Sequence, residues 1–108
     1  MNRRETVEDQ LRRLAPAIPR FDLGAVADHA LASRGLQTAS PDKAAWLSLV
    51  AYVRHVYTGY EDLLADGYGA EAARHFCRDQ INGVLAGWGC RRTVGESEDD
   101  EQNAGQRP

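Results

Sequence analysis

Cysteine is scarce in this chain, which has two, Cys77 and Cys90, among its 108 residues. Two cysteines are too few for a disulfide framework, and they have neither the Cys-x-x-Cys spacing nor a histidine at the spacing that zinc ligands use. The sequence also lacks a long hydrophobic run, because its longest mostly apolar stretch, residues 44–53, is too short to span a bilayer. No segment near its beginning resembles a signal peptide. We therefore expect a cytoplasmic protein with reduced thiols, no metal and no membrane partner.

The short motifs of the common catalytic and nucleotide-binding classes are also missing. The sequence contains no Gly-x-Gly-x-x-Gly and no P-loop pattern. It contains no Gly-x-Ser-x-Gly elbow and no His-Glu-x-x-His pattern. These absences predict no cofactor and exclude the enzyme classes that those motifs mark.

Net charge is small, but it is unevenly distributed. The 13 basic and 16 acidic residues give a formal net charge of −3, which excludes a strongly basic protein that coats nucleic acid. Residues 95–108 hold five acids and one base, a net charge of −4, so the remaining chain carries +1. Because this stretch has no aliphatic residue larger than alanine, we predict a disordered acidic tail at residues 91–108, after a folded domain at residues 3–90. Such a tail is either a solubilising segment or a decoy for a basic surface.

Apolar residues recur at helical spacing almost throughout, and no stretch alternates as a strand would. This pattern predicts an all-α fold, a single small domain of about five helices. The third helix is apolar on nearly all sides, which predicts that it is central. The helices are predicted at about residues 5–14, 23–33, 41–57, 59–66 and 70–88.

Several helix ends carry recognisable signals. Asp22 is the predicted N-cap of the second helix, with Phe21 and Val26 as a hydrophobic staple around it. Ser40 followed by Pro41 is typical of the start of a helix, because proline fits the first helical position.

The start of the fourth helix matches the capping-box pattern, Thr-x-x-Glu. Thr58 would satisfy a backbone N–H while Glu61 reaches back toward Thr58. Gly67 is predicted to end this helix. Gly83 and Gly87 weaken the fifth helix by about 1 kcal/mol each relative to alanine, which indicates either close packing or fraying.

Two arginines depart from the amphipathic pattern, because Arg54 and Arg74 fall on partly apolar faces of the third and fifth helices. In one interpretation each stem packs on the core while the guanidinium reaches solvent or pairs with an acid of the fourth helix. In the other, both forks point into a shared groove and bind an anion such as phosphate. The sequence leaves both interpretations open.

His55 directly follows Arg54, and Tyr60 lies between the two arginines in the sequence. His55 falls on the polar strip of the third helix, where an imidazole is either a surface residue or an acid–base group near neutral pH. Tyr60 is either a core aromatic or a platform for a stacked base. The candidate binding residues are therefore Arg54, His55, Tyr60 and Arg74.

The stretch from residue 49 to residue 88 carries a distinctive pattern. It reads Arg54-His55, then Thr58-x-Tyr60-Glu61-x-Leu63-Leu64-x-x-Gly67, then Ala73-Arg74, then Ile81-x-x-Val84-Leu85-x-x-Trp88. This pattern resembles the bacterial and fungal family called domain of unknown function 2293. The resemblance implies a helical fold without a particular chemistry, and it marks Thr58, Glu61, Gly67 and Trp88 as structural motif residues.

This chain departs from the family pattern in two places. We expect aspartate in the family where Glu61 stands, a change that preserves the capping role. We expect a polar residue and an arginine where Gly69 and Ala70 stand, and their loss weakens the case for a dense basic groove.

These observations predict a small non-enzymatic binding module with a site where the third, fourth and fifth helices meet. Arg54 and Arg74 would hold an anion, with Tyr60 as a platform and His55 at the rim, and the ligand would be nucleic acid or an acidic protein segment. The alternative is a small hydrolase or nucleotide-handling enzyme that uses His55 as a base. That alternative needs a carboxylate or a metal beside His55, and the sequence shows neither.

Overall fold

A computed structural model describes residues 2–95. Its helices are α1 (Arg3–Leu14), α2 (Arg20–Ala32), α3 (Pro41–Tyr57), α4 (Tyr60–Ala65) and α5 (Ala70–Gly87), with a short 3-10 turn at Arg34–Leu36. The described residues contain no strand, which confirms the predicted all-α domain of five helices.

The centre of the domain is α3, which packs against α1, α2 and α5 as its apolar circumference predicts. It starts with Pro41 after Ser40, also as predicted. Its neighbours supply the rest of the core, and the largest fully buried apolar side chains are Val7, Leu11, Val26, Leu49, Val53, Ile81 and Leu85.

The predicted start of α2 is wrong. The helix begins at Arg20 after Pro19, so Asp22 lies within its first turn instead of capping it. The Asp22 carboxylate is 5% exposed and accepts hydrogen bonds from the hydroxyls of Tyr52, at 2.5 Å, and Tyr57, at 2.8 Å. The carboxylate is therefore hydrogen-bonded by two tyrosine hydroxyls of α3, whereas the predicted cap would have bonded it to the backbone of α2. Phe21, predicted to pack in a staple, is 81% exposed.

A glycine with a positive φ angle ends both α4 and α5. Gly67 has φ +99°, and the next N–H donates to the Leu63 carbonyl at 3.0 Å. Gly89 has φ +81°, and the N–H of Cys90 donates to the Leu85 carbonyl at 2.9 Å. Both are Schellman endings, which favour glycine because other residues are strained at such angles. The prediction that Gly67 ends α4 is confirmed.

The described chain continues past α5 to residue 95, and Val94 is buried in the core cluster. The acidic tail predicted for residues 91–108 lies, from residue 96 onward, outside the described residues. Within residues 2–95, none of the helices combines the length and the hydrophobicity that a membrane crossing requires.

Candidate functional site

Arg54 and Tyr60 meet where α3 leads into α4. Arg54 lies in the last turn of α3 and is 3% exposed, and Tyr60 opens α4 and is 6% exposed. The guanidinium carbon lies 5.7 Å from the centre of the tyrosine ring, within the range of a cation–π contact. The charged head of Arg54 is thus buried with its stem and does not extend into solvent.

Thr58 holds the two-residue connection between α3 and α4. Its hydroxyl donates to the backbone carbonyl of Arg54 and accepts a hydrogen bond from the N–H of Tyr60 at 3.2 Å. Thr58 therefore satisfies a backbone N–H as the capping box predicts, although the residue directly before α4 is Gly59. The predicted role of Glu61 is wrong, because its carboxylate pairs with a histidine and not with the backbone.

That histidine is His55, whose Nδ1 forms a hydrogen bond with Oε1 of Glu61. The two side chains are 47% and 62% exposed, and the imidazole contacts the Tyr60 ring edge-to-face at 5.3 Å between centroids. Glu61 is the carboxylate that sequence reasoning did not find beside His55. The two residues lie on different helices, so helical spacing carries no signal for their contact.

Arg74 lies on α5, which packs against α4. It follows the fully buried Ala73, is half-buried, and has its Nε atom in the interior. The contacts described above join Arg54, His55 and Tyr60 into one cluster. Arg74 lies on the adjoining helix α5, at the edge of the buried face of that helix.

Trp88 lies at the opposite end of α5 from Arg74, about 20 Å away along the helix axis. Its ring meets Tyr57 edge-to-face at 5.5 Å between centroids, and its carbonyl accepts a hydrogen bond from the N–H of Ala17 at 2.9 Å. These contacts join the end of α5 to α3 and to the α1–α2 connection.

The surface of α4 and the first half of α5 is acidic. Residues 60–79 contain five acids and two arginines, a net charge of −3. The acids are exposed while the arginines are half-buried. The acids are Glu61, Asp62, Asp66, Glu71 and Asp79, and the arginines are Arg74 and Arg78.

Sequence reasoning missed an exposed aromatic pair on this surface. Tyr68 and Phe76 are 46% and 58% exposed, and their rings meet edge-to-face at 5.6 Å between centroids. The available signal was the position of Phe76, a large apolar residue one place before Cys77 and outside the buried stripe of α5. Leu64, on α4, is also 37% exposed.

A separate groove of about 500 Å³ lies between α1 and α2. It is lined by Glu8, Arg12, Arg20 and apolar residues near the α1–α2 connection, and by none of the predicted site residues. Arg12 pairs with Glu8 at 3.8 Å. Among residues 2–95, no three histidine, cysteine or acidic side chains gather as a metal site would require.

A family model described as "Uncharacterized conserved protein (DUF2293)" matches residues 10–89. This range includes the α3–α4 junction, the acidic surface and all of α5. No curated protein and no solved structure matches the chain.

Proposed function

The chain belongs to the DUF2293 family, and because the description of that family names no activity, we propose a function from geometry: a non-enzymatic module that binds a protein partner. The partner segment is basic and partly apolar, and it docks on the surface that α4 and α5 share. We expect this binding to occur in the cytoplasm, where the buried thiols of Cys77 and Cys90 stay reduced.

The exposed Tyr68–Phe76 pair carries the proposal. Apolar side chains of this size gain free energy when a partner covers them, at about 25 cal/mol per Å² of apolar surface removed from water. Aromatic residues are also enriched among the side chains that dominate protein interfaces. The two rings already contact each other, so little conformational freedom is lost when they are covered.

The charge around this pair selects the partner. Asp66 and Glu71 flank Tyr68 in the sequence, and Asp79 lies one helical turn after Phe76. All three carboxylates are exposed. We call these three carboxylates the acidic rim. A lysine- or arginine-bearing segment is attracted to the acidic rim, whereas nucleic acid is repelled by it.

The anion site predicted at Arg54, His55, Tyr60 and Arg74 stays a prediction. Arg54 and Tyr60 are buried, so a phosphate can reach the guanidinium only after neighbouring side chains move. The acidic rim further favours a protein ligand over a polyanion at this junction.

The enzymatic alternative gains one observation, because Glu61 supplies the carboxylate that a His55 base needs. Both groups are about half exposed, however, and acid–base pairs in enzymes act in sites that exclude water. The exposed aromatic pair therefore favours the binding module over hydrolysis.

Capture with matched variants tests the proposal. Full-length wild type, Phe76→Ser and Phe21→Ser are immobilised and exposed to nuclease-treated extract of the source organism. Phe21 is the control because it is a more exposed phenylalanine on α2. We expect a basic protein retained by wild type and Phe21→Ser and lost from Phe76→Ser. Equal retention of the basic protein by wild type and both variants would contradict the proposal.

Titration of the isotope-labelled full chain with short RNA and duplex DNA, at two salt concentrations, tests the competing ligand class. We expect no saturable amide shifts. Salt-sensitive shifts clustered on Arg54, Tyr60 and Arg74 would instead support the predicted anion site and overturn the protein-binding proposal.

A further inference from the structure

The segment after α5 folds back on the helices although it forms no secondary structure itself. Residues 91–93 are exposed, while Cys90 and Val94 on either side of them are 7% and 3% exposed. The Schellman turn at Gly89 directs the segment, and the Cys90 thiol donates to the carbonyl of Arg92 at 3.3 Å. We call residues 90–95 the strap.

One side chain of α5 holds the backbone of the strap. The N–H of Val94 donates to Oδ1 of Asn82 at 2.7 Å, and Nδ2 of Asn82 donates to the carbonyl of Val94 at 3.0 Å. A side-chain amide that pairs with both the N–H and the carbonyl of one residue does what a neighbouring strand does in a β-sheet. It recognises extended backbone whatever side chain the residue carries.

Two further contacts add side-chain selectivity. The guanidinium carbon of Arg92 lies 4.2 Å from the centroid of the Trp46 ring on α3, a close cation–π contact. Val94, two residues later, is buried in the core cluster. Arg92 and Val94 are two residues apart and both contact the domain, so an arginine and an aliphatic residue at this spacing reach it together.

We propose that Asn82 and Trp46 form a binding site for an extended peptide carrying arginine, one further residue and then a β-branched aliphatic residue. The strap occupies this site in cis, and a partner peptide of the same chemistry takes its place in trans. Beyond Cys90, whose N–H bonds to the end of α5, the strap belongs to no helix, so its release breaks none. This site is separate from the Tyr68–Phe76 surface, and it stands or falls independently of the function proposed above.

The cis strap competes strongly, because a tethered ligand has an effective concentration in the millimolar range. The test therefore empties the site within the full chain, using Val94→Asp. The probe is a capped peptide of residues 91–95, and the control is the same peptide with its valine replaced by aspartate. Circular dichroism checks that Val94→Asp keeps its helices. If it does not, Val94→Ser replaces it as the variant that empties the site.

We expect the peptide to shift the side-chain amide of Asn82 and the indole of Trp46 saturably in Val94→Asp. The wild-type chain should bind it at least tenfold more weakly, and so should Val94→Asp with Asn82→Ala added. Absence of shifts at millimolar peptide would overturn the proposal. So would equal binding of the control peptide, or equal binding by wild type.

Discussion

The guanidinium of Arg54 lies 5.7 Å from the centre of the Tyr60 ring, and both side chains are buried. The contact joins the last turn of α3 to the first turn of α4, and the Thr58 hydroxyl bridges the same two turns. Burial gives these residues a role in fixing the α3–α4 angle. The angle in turn positions α4 beside α5, where the exposed aromatic surface lies.

The first prediction concerns Arg54. Arg54→Ala should lower the free energy of unfolding by about 2–4 kcal/mol, because it removes buried atoms and leaves a cavity beside Tyr60. Arg54→Lys should also destabilise, since an ammonium cannot reproduce the planar guanidinium. Urea unfolding measures both. Arg13→Ala, which removes an exposed ion pair with Asp9, is the control and should change little. An Arg54→Ala protein as stable as wild type would contradict the structural role.

Asp22 carries the second prediction, because its buried carboxylate accepts two tyrosine hydroxyls. Asp22→Asn should cost about 1–3 kcal/mol, since a neutral amide accepts hydrogen bonds more weakly than a carboxylate. Urea unfolding beside Asp28→Asn provides the comparison. Asp28 lies on the same helix but is 71% exposed, so Asp28→Asn should lower the free energy of unfolding much less than Asp22→Asn does. Equal effects of the two substitutions would show that burial of Asp22 adds nothing.

The same cluster predicts a loss of stability at high pH. Burial and the hydrogen bond to Asp22 raise the pKa of Tyr52, and the hydrogen bond to Asp22 and burial raise the pKa of Tyr57. Stabilisation from a group whose folded pKa is raised is complete below its ordinary value of 10.0 and is lost as the pH rises through the folded pKa.

Urea unfolding at intervals from about pH 8 to 12 measures this loss, over a range set by the ordinary tyrosine pKa of about 10. The free energy of unfolding should fall above pH 10, the ordinary tyrosine value, and the fall should be shallower in Tyr52→Phe with Tyr57→Phe. Identical slopes in wild type and the double variant would refute a contribution of these hydroxyls.

Two glycines should respond to alanine with opposite signs. Gly67→Ala should destabilise by about 1–2 kcal/mol, because φ is +99° there and alanine is strained at that angle. Gly83→Ala should stabilise by up to about 1 kcal/mol, since the position is helical and an added Cβ meets nothing within 4 Å. Thermal unfolding measures both changes. Stabilisation by Gly67→Ala would contradict the Schellman ending of α4.

Periodicity sufficed to predict the helices, and composition identified α3 as central. Local signals also succeeded where the backbone itself sets the requirement, as Pro41 does at a helix start and Gly67 at a helix end. They failed where a distant partner competed for a side chain. Asp22 and Glu61 both have the right spacing for capping, yet Tyr52, Tyr57 and His55 take their carboxylates.

The candidate site shows the same division. The amphipathic pattern drew attention to Arg54 and Arg74, and the structure joins Arg54 to Tyr60, another of the predicted site residues, by a cation–π contact. The exposed Tyr68–Phe76 pair and the Asn82 contact with Val94 depend on how α5 meets α4 and the strap, which spacing along one helix does not encode.

The most direct test of the binding surface is site-specific photo-crosslinking in the full chain. A photoreactive phenylalanine analogue replaces Phe76 in one variant and Phe21 in another, and each is irradiated in extract of the source organism. The account predicts a discrete protein adduct at position 76 that weakens at high salt, and none at position 21. No adduct at position 76, the same adduct at both positions, or an adduct with nucleic acid would contradict it.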